Sequence, residues 1–177
     1  QAAQFVMAAQ TIVAREIDPT DPAVVTVGAI HGGQKHNIIS DRCHLELTLR
    51  SYDPRVRAHL KAAVQRLAEA VAQGARAPKP LVEFSEPAVS LHNDPALTAA
   101  VRAALVAELG AGNVVDLKPA MVAEDFGQLA PDGVPVCMFR LGTIAPDRLA
   151  KMQQDGTVPA LHSGLYWPDA RESIRTG

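Results

Sequence analysis

Residues 30–51 read IHGGQKHNIISDRCHLELTLRS. From Cys43 to Ser51 the chain alternates strictly: Cys43, Leu45, Leu47 and Leu49 fall on one face of a strand, and His44, Glu46, Thr48 and Arg50 on the other. Upstream, the run Val24-Val25-Thr26-Val27 leads through a Gly32-Gly33 turn into a polar loop holding His36 and Asn37. The stretch therefore predicts a β-hairpin that buries an aliphatic face and offers an amide, imidazoles and a guanidinium elsewhere. Asn37 can donate and accept, and Arg50 can grip a carboxylate through two parallel hydrogen bonds. Asn37 precedes Arg50 across a loop that can fold back beside the strand's end, so both could meet one small amide-bearing acid. A polar outer face is also ordinary on any sheet with one side in water.

On the N-terminal side, residues 1–16 place Phe5, Ala8, Ala9, Ile12 and Val13 on one helical face, and Asp18-Pro19 and Asp21-Pro22 stop that helix. On the C-terminal side, Asp53-Pro54 supplies a capping acceptor and a first-turn proline. The helix they open carries Val56, Leu60, Ala63, Val64, Leu67 and Val71 as its apolar stripe and ends near Gly74. Residues 81–84 read as a further short strand. The order α-β-β-α-β, preceded by one more strand, is the split β-α-β arrangement of ferredoxin-like domains. Composition breaks at residues 87–93, which predicts a division into 1–86 and 87–177. Past the break, Asp94-Pro95 starts a helix with Leu97, Val101, Ala104 and Leu105 on one stripe and Gly110 closing it. Residues 114–117 and 134–141 read as strands, the second of a buried type, and residues 123–126 as a short helical turn. Residues 143–160 read as a loop, and an acidic-basic tail follows Tyr166. The fold class is α/β (α+β), without internal repeats.

With 47% apolar residues in 177, the chain can form a real core. A net charge of −2, no basic run and only 4% aromatics argue against a nucleic-acid partner. No apolar run approaches the ~20 residues that span a bilayer, so no membrane partner is expected. Cys43 and Cys137 both sit in apolar runs and are expected as buried free thiols, which fits a cytoplasmic setting. The chain opens at Gln1 already inside a helical pattern, which points to a piece of a longer protein.

Three places carry groups suited to chemistry: His36 and Asn37 with Arg50, the pair Glu124-Asp125, and His162. His162 could bind a metal through one ring nitrogen, though one histidine carries no ligand-spacing signature. Glu124 and Asp125 could equally be first-turn acids complementing a helix dipole. Arg50 could equally be a solvated strand residue paired with Glu46. His31, His44, His59 and His92 show no partner pattern and are read as structural or surface residues. The two cysteines form no defensible nucleophile or metal pair. There is no GxSxG, P-loop, GxGxxG or CxxC pattern.

The segment AVVTVGAIHGGQKHNIISDRCHLELTLRSYD resembles the lid of the M20 metallopeptidase family, in its amidohydrolase branch of hippurate hydrolases and N-acyl-amino-acid amidohydrolases. Gly32-Gly33, Asn37 and Arg50 carry the likeness. Downstream, Met121-Val122-Ala123-Glu124-Asp125-Phe126 is similar to that family's SEDF segment, and Leu161-His162-Ser163-Gly164-Leu165-Tyr166 to its late His-Ser-Pro-x-Phe motif. The motifs stand in the family's order and cover nearly the whole chain. Two departures are local: Ile39-Ser40 replaces the usual Ile-Pro, and Ser163-Gly164 the usual Ser-Pro.

The resemblance implies a ferredoxin-like lid and dimerisation domain over 1–86, lacking its first strand, followed by the C-terminal part of an α/β metallohydrolase catalytic domain over 87–177. It implies an enzyme that cleaves the amide of hippurate-like N-acyl amino acids with two divalent metal ions (Zn, Mn, Ni or Co), and a homo-oligomer formed through the lid. Asn37 and Arg50, with His36 beside them, then inherit substrate contacts. His162 inherits a metal-ligand role and Glu124 a supporting one near the metals. The remaining ligands and the glutamate base belong to an N-terminal half outside these residues, so this chain alone is expected to be inactive. The alternative is a non-catalytic ferredoxin-like module for dimerisation or small-ligand binding, or a fragment kept for oligomer assembly. The ferredoxin-like module explains residues 1–86 as well on fold but leaves His162 and the Glu124 segment unexplained.

Overall fold

The computed structural model of the chain describes residues 1–85, 88, 90–122, 124–129 and 133–176. They fold as two compact units, Gln1–Val136 and Cys137–Gly177.

In the first unit, helix α1 (Ala2–Glu16) leads into strand β1 (Ala23–Gly32), which pairs antiparallel with β2 (Cys43–Ser51), and helix α2 (Pro54–Gly74) follows. Both strands and both helices arise where the hydrophobic periods place them. The α1 stripe buries Phe5, Ala9 and Ile12, and the α2 stripe buries Val56, Leu60, Ala63 and Val64. Ala23, Val25, Leu45, Leu47 and Leu49 close the core from the sheet side. Ile12 and Leu60 are both 0% exposed. Burying such a side chain contributes about 1.5–3 kcal/mol. Asp53 caps α2 by accepting the Arg55 N–H at 2.7 Å, with Pro54 in the first turn.

Register runs from Ala23 opposite Ser51 to Gly32 opposite Cys43, with an irregularity between Val27 and Ala29. The extra residue, Gly28, restores the alternation, so His31 shares the outer face with its cross-strand partner His44. At the hairpin end a Cβ on Gly32 would stand 3.0 Å from the Cys43 sulfur, and Gly33 has φ +86°. Both positions therefore select glycine.

Glu16, at the end of α1, ties that helix to α2. Its carboxylate accepts both of its short contacts from Arg66 Nη2 at 2.7 Å and lies 3.1 Å from His59 Nε2. The Arg66 hydrogen bond is the main reason its pKa lies below the ordinary 4.5. A carboxylate whose folded pKa is lowered contributes stability that is full above the unfolded value and lost as pH falls through the folded one. Acid unfolding of Glu16→Gln is therefore expected to begin from a lower plateau but fall less between pH 5 and 3. Parallel acid-unfolding curves for the two proteins would sink this assignment.

Several expectations need correcting. Residues 81–84 form no strand: Val82 packs on the core, but Leu81 is 83% exposed and no described strand edge takes this segment into a ladder. Residues 114–117 and 134–141 are likewise outside any ladder, with Val115, Leu117, Val134 and Phe139 exposed. Apolar content alone does not make a strand, because backbone hydrogen bonds need a partner edge. Cys43 is exposed rather than buried, since it lies at the hairpin end beyond the cover of the helices, whereas Cys137 is half-buried. The predicted loop 143–160 contains helix α4 (Pro146–Gln154), and the tail contains α5 (Ala170–Thr176), whose first turn Asp169 caps by accepting the Glu172 N–H at 3.3 Å. Both are too short and polar to show a periodic apolar stripe.

Helix α3 (Pro95–Leu109) forms as predicted, with Asp94 accepting the Leu97 N–H at 2.7 Å and Gly110 at φ +86° ending it. None of its residues is buried. Its expected stripe residue Ala104 is exposed, while Leu97, Val101 and Leu105 are half-buried.

Candidate functional site

The loop 33–42 carries the first candidates at its tip. Ile38 N–H donates to the Lys35 carbonyl at 3.2 Å, so His36 and Asn37 are the two central residues of a tight turn. Both are exposed, as is Ile39 at 98%. Ser40, standing where proline was expected, bonds its hydroxyl to the Arg42 carbonyl at 2.7 Å and holds the loop's return limb.

Arg50 lies at the other end of β2, opposite Val24. It does not pair with Glu46, which instead lies 3.4 Å from His44. Arg50 Nη1 donates to the Met121 carbonyl at 2.7 Å in a half-buried setting. Two further side chains gather later chain at this same corner. Ser90 Oγ donates to the Tyr52 carbonyl at 2.7 Å, and Arg57 Nη1 donates to the Ala88 carbonyl at 3.1 Å.

The structure does not bring Asn37 and Arg50 together. Seven residues of β2 separate the loop's base from Arg50, about 23 Å at the ordinary strand rise. The loop does not fold back along them, because residues 33–42 and the outer-face residues Glu46 and Thr48 are all exposed. An N-acetyl amino acid spans about two Cα spacings, roughly 7 Å. One lid therefore cannot place both side chains on one small substrate.

Glu124 behaves as a capping residue. Its Oε1 accepts the N–H groups of Asp125 at 3.0 Å and Phe126 at 3.2 Å, at the start of a 3-10 turn over Phe126–Leu129. The helical turn expected from residue 123 starts later; Ala123 itself lies outside the described residues.

In the second unit His162 is exposed and has φ +68°, a left-handed conformation uncommon for a residue with a Cβ. The turn around it is held by Ser163 N–H to the Ala160 carbonyl at 3.1 Å and Tyr166 N–H to the Ser163 carbonyl at 3.0 Å. Ser163 Oγ also accepts the Leu165 N–H at 3.1 Å, and the Tyr166 hydroxyl bonds to Thr143. The turn therefore presents the imidazole at its tip, and such outliers cluster at functional sites. Among the described residues, no three His, Cys, Asp or Glu side chains stand close enough to hold a metal ion. The described donors thus do not make a three-ligand metal centre around His162.

The remaining histidines take the structural places expected. His59 pairs with Glu16, His44 with Glu46, and His92 is exposed. An open cleft beside Glu16, Asp18, Asp21, Arg55 and His59 contains none of the candidate residues. No described helix is long and apolar enough to cross a membrane.

Residues 1–76 thus form a two-stranded hairpin backed by two packed helices, with a polar outer face and an arginine at its corner. Residues 1–76 match the peptidase dimerisation domain of the M20 family. It is 38% identical over 159 residues to an N-acetyldiaminopimelate deacetylase of Lactococcus lactis subsp. cremoris, covering 89% of this chain and 42% of that protein. The enzymes of the same description from Shouchella clausii and Bacillus subtilis are 38% and 34% identical, over 81% and 87% of this chain. A crystal structure from methicillin-resistant Staphylococcus aureus, described as an aminohydrolase, superposes with a TM-score of 0.61 at 26% identity, covering 72% of this chain and 32% of that one. The chain thus spans about two fifths of the length of the curated relatives it matches.

Proposed function

We propose that the chain is the lid and C-terminal part of an M20-type amidohydrolase that cleaves the amide bond of N-acyl amino acids. The observation that carries the reading is the likeness to named deacetylases over 89% of the chain. The relatives' named substrate is itself an N-acyl amino acid bearing a free carboxylate, which is the chemistry Arg50 can recognise. On this reading residues 1–86 are the lid, 87–177 belong to the catalytic domain, and the working protein is a cytoplasmic homo-oligomer joined through its lids. Asn37 contacts the scissile amide with His36 beside it, and Arg50 holds the carboxylate. Because the hairpin keeps Asn37 and Arg50 far apart, one substrate meets both only if they come from two copies of the lid. Glu124 shapes the segment that follows Met121.

Two divalent metals are part of the proposed enzyme, with His162 one of several ligands. Among the described residues no three metal-ligating side chains stand together, so the other ligands of the proposed site are expected from elsewhere in the complete protein. A metal-ligand role still suits a histidine held in the left-handed region at a turn tip. His162→Ala in the complete protein is expected to lower bound metal, measured by elemental analysis, and to abolish nearly all activity. Unchanged metal content in a folded His162→Ala protein would remove the role.

The test of the overall reading is turnover. The complete protein is expected to hydrolyse N-acetyl or N-benzoyl amino acids with loss on chelation, and the 177-residue chain alone to hydrolyse neither. Chelator-sensitive turnover by the isolated chain would overturn the division of labour. Comparing the two acyl groups decides between acetyl and hippurate-like specificity.

A further inference from the structure

We propose that the backbone carbonyl of Met121 is the positioning group that sets Arg50 for carboxylate recognition, and so helps determine the preference for free acids over amides. This rests on the reading of Arg50 as the carboxylate clamp. The guanidinium has five N–H donors in a rigid plane. One on Nη1 is taken by the Met121 carbonyl at 2.7 Å, and among the described residues the Arg50 side chain makes no other hydrogen bond or ion pair. That bond fixes the plane while leaving the Nε–Nη2 edge, whose two parallel N–H groups match a carboxylate.

The anchor is built rather than incidental. Arg50 is half-buried at the end of β2, and the corner around it is held by Ser90 on the Tyr52 carbonyl and Arg57 on the Ala88 carbonyl. A free arginine side chain loses much rotamer freedom on binding; one already held by a carbonyl loses less, which strengthens recognition without a new contact. Coupling of this kind is reciprocal. If the Met121 carbonyl favours carboxylate binding, carboxylate binding must tighten the Met121 segment, three residues before the Glu124 cap.

The direct test replaces the Met121–Val122 amide of the complete protein by an ester, using the α-hydroxy analogue of Val122. Every side chain stays, the carbonyl becomes a weaker acceptor, and the Val122 N–H that is lost makes no hydrogen bond among the described residues. KM for an N-acetyl amino acid is expected to rise about three- to tenfold, the equivalent of one neutral hydrogen bond, with kcat unchanged. Kinetics on the matching carboxamide should not move. Equal changes for acid and carboxamide, or no change in KM, would overturn the proposal.

A second measurement needs no variant: amide exchange over residues 121–126 should slow when the N-acetyl amino acid binds and not when its carboxamide does. Equal exchange with both ligands also counts against it. Arg50→Ala run in parallel separates the two levels. If Arg50→Ala loses equally on acid and carboxamide, the clamp itself falls and the positioning role with it. If its loss is confined to the acid while the ester protein's is not, only the Met121 role is lost.

Discussion

Co-expressing Asn37→Ala and Arg50→Ala forms of the complete protein is expected to restore activity that neither form has alone. Loss of the Asn37 amide removes a donor to the developing oxyanion, a defect of about two to three decades in kcat. Loss of Arg50 removes the carboxylate grip. If the two side chains served one substrate from the same lid, every mixed pair would carry one defect in each site and nothing would be recovered. The hairpin excludes that arrangement: Asn37 sits in the turn beyond Gly32 and Cys43, while Arg50 pairs with Val24 at the other end of the ladder. With residues drawn from two lids, each mixed pair has one doubly altered site and one intact site. Half the pairs in an equal mixture are mixed, so about a quarter of the parental activity should return. Activity that stays at the level of the separate variants would refute the shared site.

Arg50→Ala alone should weaken the free-acid substrate by one to two decades in kcat/KM, because a charge-assisted hydrogen-bonded pair contributes roughly 1.5–3 kcal/mol. Arg50→Lys should recover only part of this. Lysine keeps the charge but loses the fork, and one ammonium cannot hold the Met121 carbonyl and a carboxylate in the same plane. The informative comparison is the carboxamide of the same substrate, which the parent should use poorly and Arg50→Ala little worse. An equal loss on acid and carboxamide would make Arg50 a corner strap for the Met121 carbonyl and nothing more.

Much of the first unit was legible because its signals are local. Strict alternation over Cys43 to Ser51 and the stripes through Phe5, Ala9, Ile12 and Val56, Leu60, Ala63, Val64 fix which faces turn inward. Asp53-Pro54 and Asp94-Pro95 mark helix starts for reasons internal to one turn of chain. The Gly32-Gly33 signal was equally local, set by a close sulfur and a left-handed backbone. The later chain was read less well. Residues 81–84, 114–117 and 134–141 have the composition of strands, yet a ladder requires a second edge that composition cannot supply. Helices α4 and α5 went unseen because short polar helices have too few turns to show a period.

The sequence by itself determined the α-β-β-α core, the chemical kinds of group it displays, and the match of residues 1–76 to a peptidase dimerisation domain. It did so because periodicity, caps and motifs depend on neighbours a few residues away. Only the tertiary structure decided that Asn37 and Arg50 stand at opposite ends of a strand, because reach across a hairpin is set by its register and not by sequence distance. It also decided Arg50's partner, a carbonyl 71 residues away. Every residue has such a carbonyl, so no side-chain pattern could have pointed to the one at Met121.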